Sequence, residues 1–168
     1  MSRGFVKEDD QEETPMVPPR AFLPEGMANF VTPKGMNQLL AEKQILIDER
    51  NNLTNTNENE KRIASNFITA KLQLLENRIS EAKVVKPDEQ PQNEVRFGAT
   101  IAFKTGSSEN IQTFQIVGVD EADIPKGKVS FLSPIAKVLL NKKVGDNFIL
   151  KQGGKDNVFE IIGISYEI

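Results

Sequence analysis

The stretch "TNTNENEKR", Thr54 to Arg62, is where the fold turns. Four Thr and Asn residues lead to Glu58 and Glu60, separated by Asn59, and then to Lys61 and Arg62. Such a run has no apolar period and reads as a polar turn. Before it, "VTPKGMNQLLAEKQILIDERNNL" opens with Thr32 as N-cap and Pro33 at the first helical position. Leu39, Leu46 and Leu53 recur there every seven residues, with Met36 and Leu40 beside the stripe. After it, "KRIASNFITAKLQLLENRISEAKVV" sets Ile68, Leu72, Leu75, Ile79 and Ala82 at intervals of four and three. Two narrow apolar stripes joined by a polar turn predict an antiparallel helical hairpin, a coiled coil, within residues 31–85. Arms of about 21 to 28 residues would extend roughly 30–40 Å at 1.5 Å per residue.

Composition narrows the chemistry. Cysteine and histidine are both absent from the 168 residues. Disulfides, thiolate nucleophiles, imidazole bases and Cys/His zinc sites are therefore excluded. A hard cation such as Mg2+, held through oxygens, is the metal chemistry left in reach. The net charge of −3 comes from residues 1–30, which carry three basic and six acidic residues; the rest has eighteen of each sign. No basic field marks sequence-specific DNA binding, and a protein partner is expected. No apolar run is long enough for a membrane span and the N-terminus has no apolar signal core, so a cytoplasmic protein is expected; a monomer is expected as well.

Residues 1–30 combine "EDDQEE" with "PMVPPRAFLPEG" and read as an acidic, Pro-rich tail, disordered or extended. The alternative is a docking segment in which Phe22 and Leu23 meet a partner or the chain's own body. Residues 86–92, "KPDEQPQ", break the helix with two prolines and read as a linker that leaves its two sides loosely tied. From residue 93 to 168 the period changes to that of strands: "VRFGATIAF", "TFQIVGV", "KVSFL", "NFILK" and "VFEIIGISYEI". "SPIAKVLLNKK" interrupts them with Ser133 as N-cap and Pro134 at the first helical position, a short helix. "KQGGKDN" reads as a hairpin loop. The class is α+β: a helical hairpin followed by a small, mostly antiparallel sheet around one short helix.

At "FGATIAF", "QIVGVDEADIPKGKVSFLSPIAKVLLNKKVGD" and "FEIIGISY" the sequence resembles the Gre family of bacterial transcript-cleavage factors, GreA and GreB. The likeness runs from about Val95 to Tyr166, and "TPKG" at the start of the hairpin agrees with it. It implies a C-terminal domain of FKBP-like fold that docks on RNA polymerase at the rim of the secondary channel. Asp120, Glu121, Ala122 and Asp123, with Ser133, Pro134, Ile135 and Ala136, are the partner-binding candidates it suggests. It further implies that the coiled coil reaches down the channel, where two tip acids spaced Asp-x-x-Glu help hold the second Mg2+ of the polymerase while the nascent RNA 3' end is hydrolysed. The chain would have no cofactor of its own.

The tip departs from that pattern. Aligned from "LLENRI", the family's first acid falls on Glu58 and its second on Lys61; a shift of one residue pairs Asn57 with Glu60. The arms are also shorter than the family's by roughly one helical turn each. Glu58 and Glu60 lie two apart, about 200° around a helix, so they do not face one ion. Two roles stay open for them. One is structural, with Asn57 as N-cap and Glu60 at N3 in a capping box. The other is catalytic, with Glu58 directed at a shared metal. Lys61, Arg62 and Lys71 could follow RNA phosphates or polymerase acids, or simply form a solvated face. "DEAD" at 120–123 is not a helicase motif, because no phosphate-binding Gly-Lys-Ser/Thr loop occurs; a turn is expected there. Three functions compete: a factor stimulating RNA cleavage, a non-cleaving occupant of the channel, and a peptidyl-prolyl isomerase. The last is disfavoured by the scarcity of aromatics, with no Trp and one Tyr.

Overall fold

The computed structural model describes residues 14–167, so "EDDQEE" and Ile168 lie outside the described residues. Helix α1 spans Pro33–Asn51, and the Thr32 hydroxyl accepts from the Gly35 amide at its start. Helix α2 spans Glu58–Glu81. The arms run antiparallel. Arg50 Nη1 donates to Thr69 Oγ1 near the turn at 3.2 Å, and Lys43 lies 3.6 Å from Glu76 further along. Leu39 and Leu46 are buried against Ile68, Leu72 and Leu75, while Met36, Leu53 and Ile79 pack half-buried around them. Leu40 is 46% exposed. It follows Leu39 by about 100° around the helix and so leaves the narrow seam.

The base of the hairpin holds an element that periodicity did not disclose. Ala82 fits the helical stripe, yet the helix has ended before it. Asn29–Val31 forms strand β1 and Ala82–Val84 forms strand β2, paired in parallel with Phe30 opposite Lys83. Segments of three residues separated by both helices carry no local signal, since their pairing is made only when the hairpin closes.

Beyond the linker, β3 (Ala99–Thr105), β4 (Gln112–Val117), β5 (Lys128–Ser130), β6 (Asn147–Gln152) and β7 (Lys155–Tyr166) form one sheet in the order β5-β4-β3-β7-β6. Only β4–β5 is parallel. Gly153 and Gly154 turn β6 into β7 with φ of 58° and 79°, the left-handed pair that a tight hairpin needs. The register shifts between Ala102 and Phe103, where Gly163 faces Ala102, and the sheet curls. Helix α3, Pro134–Leu139, begins with the Ser133 hydroxyl accepting from the Ala136 amide and lays Ala136 and Leu139 into the curl. Phe103 stands at the centre, 5.3 Å from the rings of both Phe148 and Phe159.

The loose tie expected from the linker prolines is not found. Phe30 of β1 sets its ring 5.9 Å from Phe97, tilted, and 5.6 Å from Phe131, edge to face, both packed on the sheet core. The base of the hairpin is thus an apolar plug in the sheet domain. Proline composition reports backbone stiffness in the connection and says nothing of contacts made on either side of it.

Tyr166 closes the end of β7 on the segment entering the sheet. Its hydroxyl donates to the Glu94 carbonyl at 2.6 Å and accepts from the Arg96 amide at 2.9 Å. Burial lifts the phenol pKa above its ordinary value, partly opposed by the Arg96 amide. The folded state therefore favours the neutral phenol. That stabilisation is complete below about pH 10 and is lost as pH climbs through the raised value. Denaturant titrations should show Tyr166→Phe less stable by about 1–3 kcal/mol at neutral pH, with a shallower decline than the parent above pH 10.

Candidate functional site

At the tip, the Asn57 side-chain oxygen accepts from the amides of Asn59 at 2.9 Å and Glu60 at 3.4 Å. Asn57 is the N-cap of α2, which puts Glu58 at its first position and Glu60 at its third. The cap is one-sided: among the described residues no bond returns from the Glu60 carboxylate to the Asn57 amide, the second half of a capping box. Both carboxylates are exposed and stand on different sides of the first turn. The positive end of the helix favours negative charge here, so two acids at the tip cost the fold little. No group of three or more potential metal-ligating side chains occurs among the described residues.

Lys61 and Arg62 follow on the exposed first turns, with Arg62 Nη2 donating to Asn59 Oδ1 at 2.8 Å. Lys71 is half-buried, its ammonium 5.2 Å from the centre of the Phe67 ring. Beneath the tip, an open groove of about 400 Å3 is lined by Leu53, Ile63 and Phe67, with Glu49 and Glu60 among its walls. Ile63 is 59% exposed, so the hairpin's end is apolar as well as acidic.

The second candidate set divides in two. Asp120 and Glu121 do not face outward. Asp120 accepts from Arg20 Nε at 3.0 Å and lies 3.4 Å from Arg78 Nε, with 8% of its side chain exposed. Glu121 accepts from the Thr32 hydroxyl at 2.5 Å, lies 3.5 Å from Lys128, and sits beside Gly35 in the first turn of α1. A carboxylate is thereby seated at the positive end of α1 by a residue 89 positions away. The "TPKG" and "DEAD" stretches, unrelated in the sequence, prove to be the two halves of one contact.

The outward part is what remains. Ala122 is exposed, and Asp123 is half-buried with its carboxylate 3.7 Å from Lys126. Pro134 is exposed, Ser133 and Ile135 are half-buried, and Ala136 is buried beneath them. Ile124, 67% exposed, joins this surface unforeseen; its signal was an isoleucine between the polar "DEAD" and Pro125.

Arg20 and Arg78 were also unforeseen. Arg20 makes a bidentate pair with Glu42 of α1, at 2.8 and 3.0 Å, besides its bond to Asp120. These hydrogen bonds hold its guanidinium above its ordinary pKa despite burial. Arg78 donates to the Ala21 carbonyl at 2.6 Å. A lone arginine in a Pro-rich segment gives no periodic clue to such partners.

A two-helix hairpin seated by buried charges on a curled five-stranded sheet defines an α+β class of protein with an exposed polar tip. Residues 90–166 match the family described as "Transcription elongation factor, GreA/GreB, C-term", so this part of the chain is similar to that family. Among curated relatives, it is 39% identical over 101 residues to "Transcription elongation factor GreA" of Thermodesulfovibrio yellowstonii, covering 60% of this chain and 64% of that protein. The protein of the same name from Halorhodospira halophila is 37% identical over 102 residues, 60% and 65% of the two chains. The matches thus span just under two thirds of those relatives' length. Among solved structures, a GreA/GreB factor from Nitrosomonas europaea aligns with a TM-score of 0.44 at 22% identity, over 82% of this chain and 98% of its own. GreA factor homolog 1 of Thermus thermophilus aligns with a TM-score of 0.38 at 22% identity, over 82% and 99%. Among the described residues no helix is long and apolar enough to cross a membrane.

Gly118 tests how tightly the base is seated. A Cβ there would stand 2.5 Å from the Phe30 carbonyl oxygen, and a backbone atom cannot step aside as a side chain can. Gly118→Ala should therefore destabilise the protein by about 1–3 kcal/mol, read as a lower denaturation midpoint, although Ala is ordinarily the better residue in a strand-like segment.

Proposed function

We propose that the chain is a GreA/GreB-like elongation factor that binds bacterial RNA polymerase. Its sheet domain, of FKBP-like type, docks at the rim of the secondary channel, and its hairpin enters the channel as a coiled coil. The observation that carries this reading is the pairing of a family-matched C-terminal domain with a hairpin whose far end presents Glu58 and Glu60 to solvent. In this reading the docking surface comprises the outward residues Ala122, Asp123, Ser133, Pro134 and Ile135. Asp120, Glu121 and Ala136 shape it from behind. Lys61, Arg62 and Lys71 lie along the arm that would pass polymerase acids or the nascent RNA.

The chemistry would belong to the polymerase. Its Mg2+ ions would activate water against the extruded RNA 3' end. The chain would add negative charge near the second ion, mainly through Glu58, and would need no cofactor of its own. In a water-poor channel that charge counts for more than it does in bulk solvent.

One observation favours a second reading. Glu58 and Glu60 occupy the first and third positions of α2 and diverge, and the Asp-x-x-Glu spacing is absent. A hairpin with diverging acids can fill a channel without completing a metal site. The peptidyl-prolyl isomerase reading has no such observation behind it.

Stalled, backtracked elongation complexes separate the two. The wild-type chain is expected to release a 3' RNA fragment with the cognate polymerase. The paired Glu58→Gln and Glu60→Gln variant should lower that rate by roughly a hundredfold to a thousandfold while still competing for the polymerase. Wild-type protein that binds yet releases no fragment at saturating Mg2+ would leave the channel-occupying regulator as the function.

A further inference from the structure

Asp120 pairs with two arginines from different segments of the chain. Arg78 comes from α2, and Arg20 from the extended segment that precedes β1. Arg20 also takes both oxygens of Glu42 on α1. One side chain therefore bonds to α1 and to the loop after β4, while its neighbour Ala21 receives the Arg78 guanidinium of α2. Residues 14–28 contain no helix or strand, only a turn at Glu25–Gly26, yet they are drawn across the hairpin at this point.

Arg20 lies outside the apolar core of either half. The hairpin has its own buried seam and the sheet its own aromatic core, and Arg20 belongs to neither. What it connects is the two bodies. We infer that Arg20 is a positioning residue: it clasps the hairpin to the sheet domain and fixes the angle at which the hairpin projects. The function of that angle rests on the elongation-factor reading above. α2 is about 36 Å long at 1.5 Å per residue, so a 10° swing at the base moves the tip by roughly 6 Å, about one helical turn. A tip displaced so far misses any site it must reach.

The fork geometry specifies arginine. Two parallel bonds to Glu42 and a third from Nε to Asp120 use three donors in one plane, which a lysine ammonium cannot reproduce. With 18% of the Arg20 side chain and 8% of Asp120 exposed, that arm of the link is screened less than a surface pair, while the arm to Glu42, 44% exposed, is the more solvated one.

Because the chain has no cysteine, two can be introduced for spin labels without competing sites. Thr54→Cys near the tip and Gln112→Cys on β4 report the angle through their distance distribution, measured on the full chain without polymerase. Arg20→Ala should broaden that distribution or shift it by several ångströms, with helix content unchanged by circular dichroism. Arg20→Lys should recover only part of the parent distribution, and Glu42→Gln should resemble Arg20→Ala in milder form. A distribution for Arg20→Ala that overlays the parent's overturns the clasp, as does loss of helix content in that variant. On backtracked complexes Arg20→Ala should then slow cleavage with the tip acids intact. A chain that stimulates no cleavage, yet shows the distance change, keeps the clasp and removes only the elongation-factor reading.

Discussion

A carboxylate seated at the start of a helix governs the relation between the two halves of this molecule. Glu121 reaches the first turn of α1, where Thr32 donates to it and Gly35 leaves room for it. The positive end of the helix and the Lys128 ammonium at 3.5 Å both lie against the carboxylate. Removing a charge from water is costly unless it is paired and hydrogen-bonded, and Glu121 has both kinds of partner only when hairpin and sheet are together. The contact is therefore conditional: it stabilises the assembled molecule and neither part alone.

The rest of the junction follows the same logic with different chemistry. Phe30 supplies apolar area against Phe97 and Phe131, which brings the surfaces together without fixing a direction. Gly118 admits the backbone of β1 at a distance no side chain would permit. The charged pairs then choose one arrangement among those the apolar contact allows. They do so imperfectly: Asn29 Oδ1, Arg78 Nη1, Asp120 Oδ2 and Glu121 Oε1 are buried without a hydrogen bond among the described residues. Two of them are still met by charge: Asp120 Oδ2 lies 3.4 Å from Arg78 Nε and Glu121 Oε1 lies 3.5 Å from Lys128 Nζ. The four gather at this one place, where hydrogen bonding among the described residues is least complete.

That division explains what the sequence disclosed. Elements set by local pattern were legible: the caps at Thr32, Asn57 and Ser133, the seam of Leu39, Leu46, Ile68, Leu72 and Leu75, and the five strands with their Gly153–Gly154 turn. The one-sided cap at Asn57 was half legible, since a spacing identifies who can bond and not which rotamer does. Contacts made by distant single residues were not legible. Asp120 and Glu121 stood out as part of a matched motif, and exposure was the natural guess for two acids in a turn; their arginine, threonine and lysine partners, Arg20, Arg78, Thr32 and Lys128, lie in four other segments. β1 and β2 were hidden for the same reason, being strands only with respect to each other.

Charge is thus used in opposite ways at the two ends of the hairpin. At the base, acids are withdrawn from water and held by named partners, so their contribution is direction and rigidity. At the tip, Glu58 and Glu60 stay in water beside the positive end of α2, with Asn57 meeting the amides that would otherwise need them. Because Asn57 caps the helix alone, neither glutamate is required for the fold at that point, and both remain free to meet something outside the chain. An acid consumed by a full capping box would have to break a bond before binding a cation. The one-sided cap removes that competition, and a tip freed in this way is useful only where the base holds it in one direction.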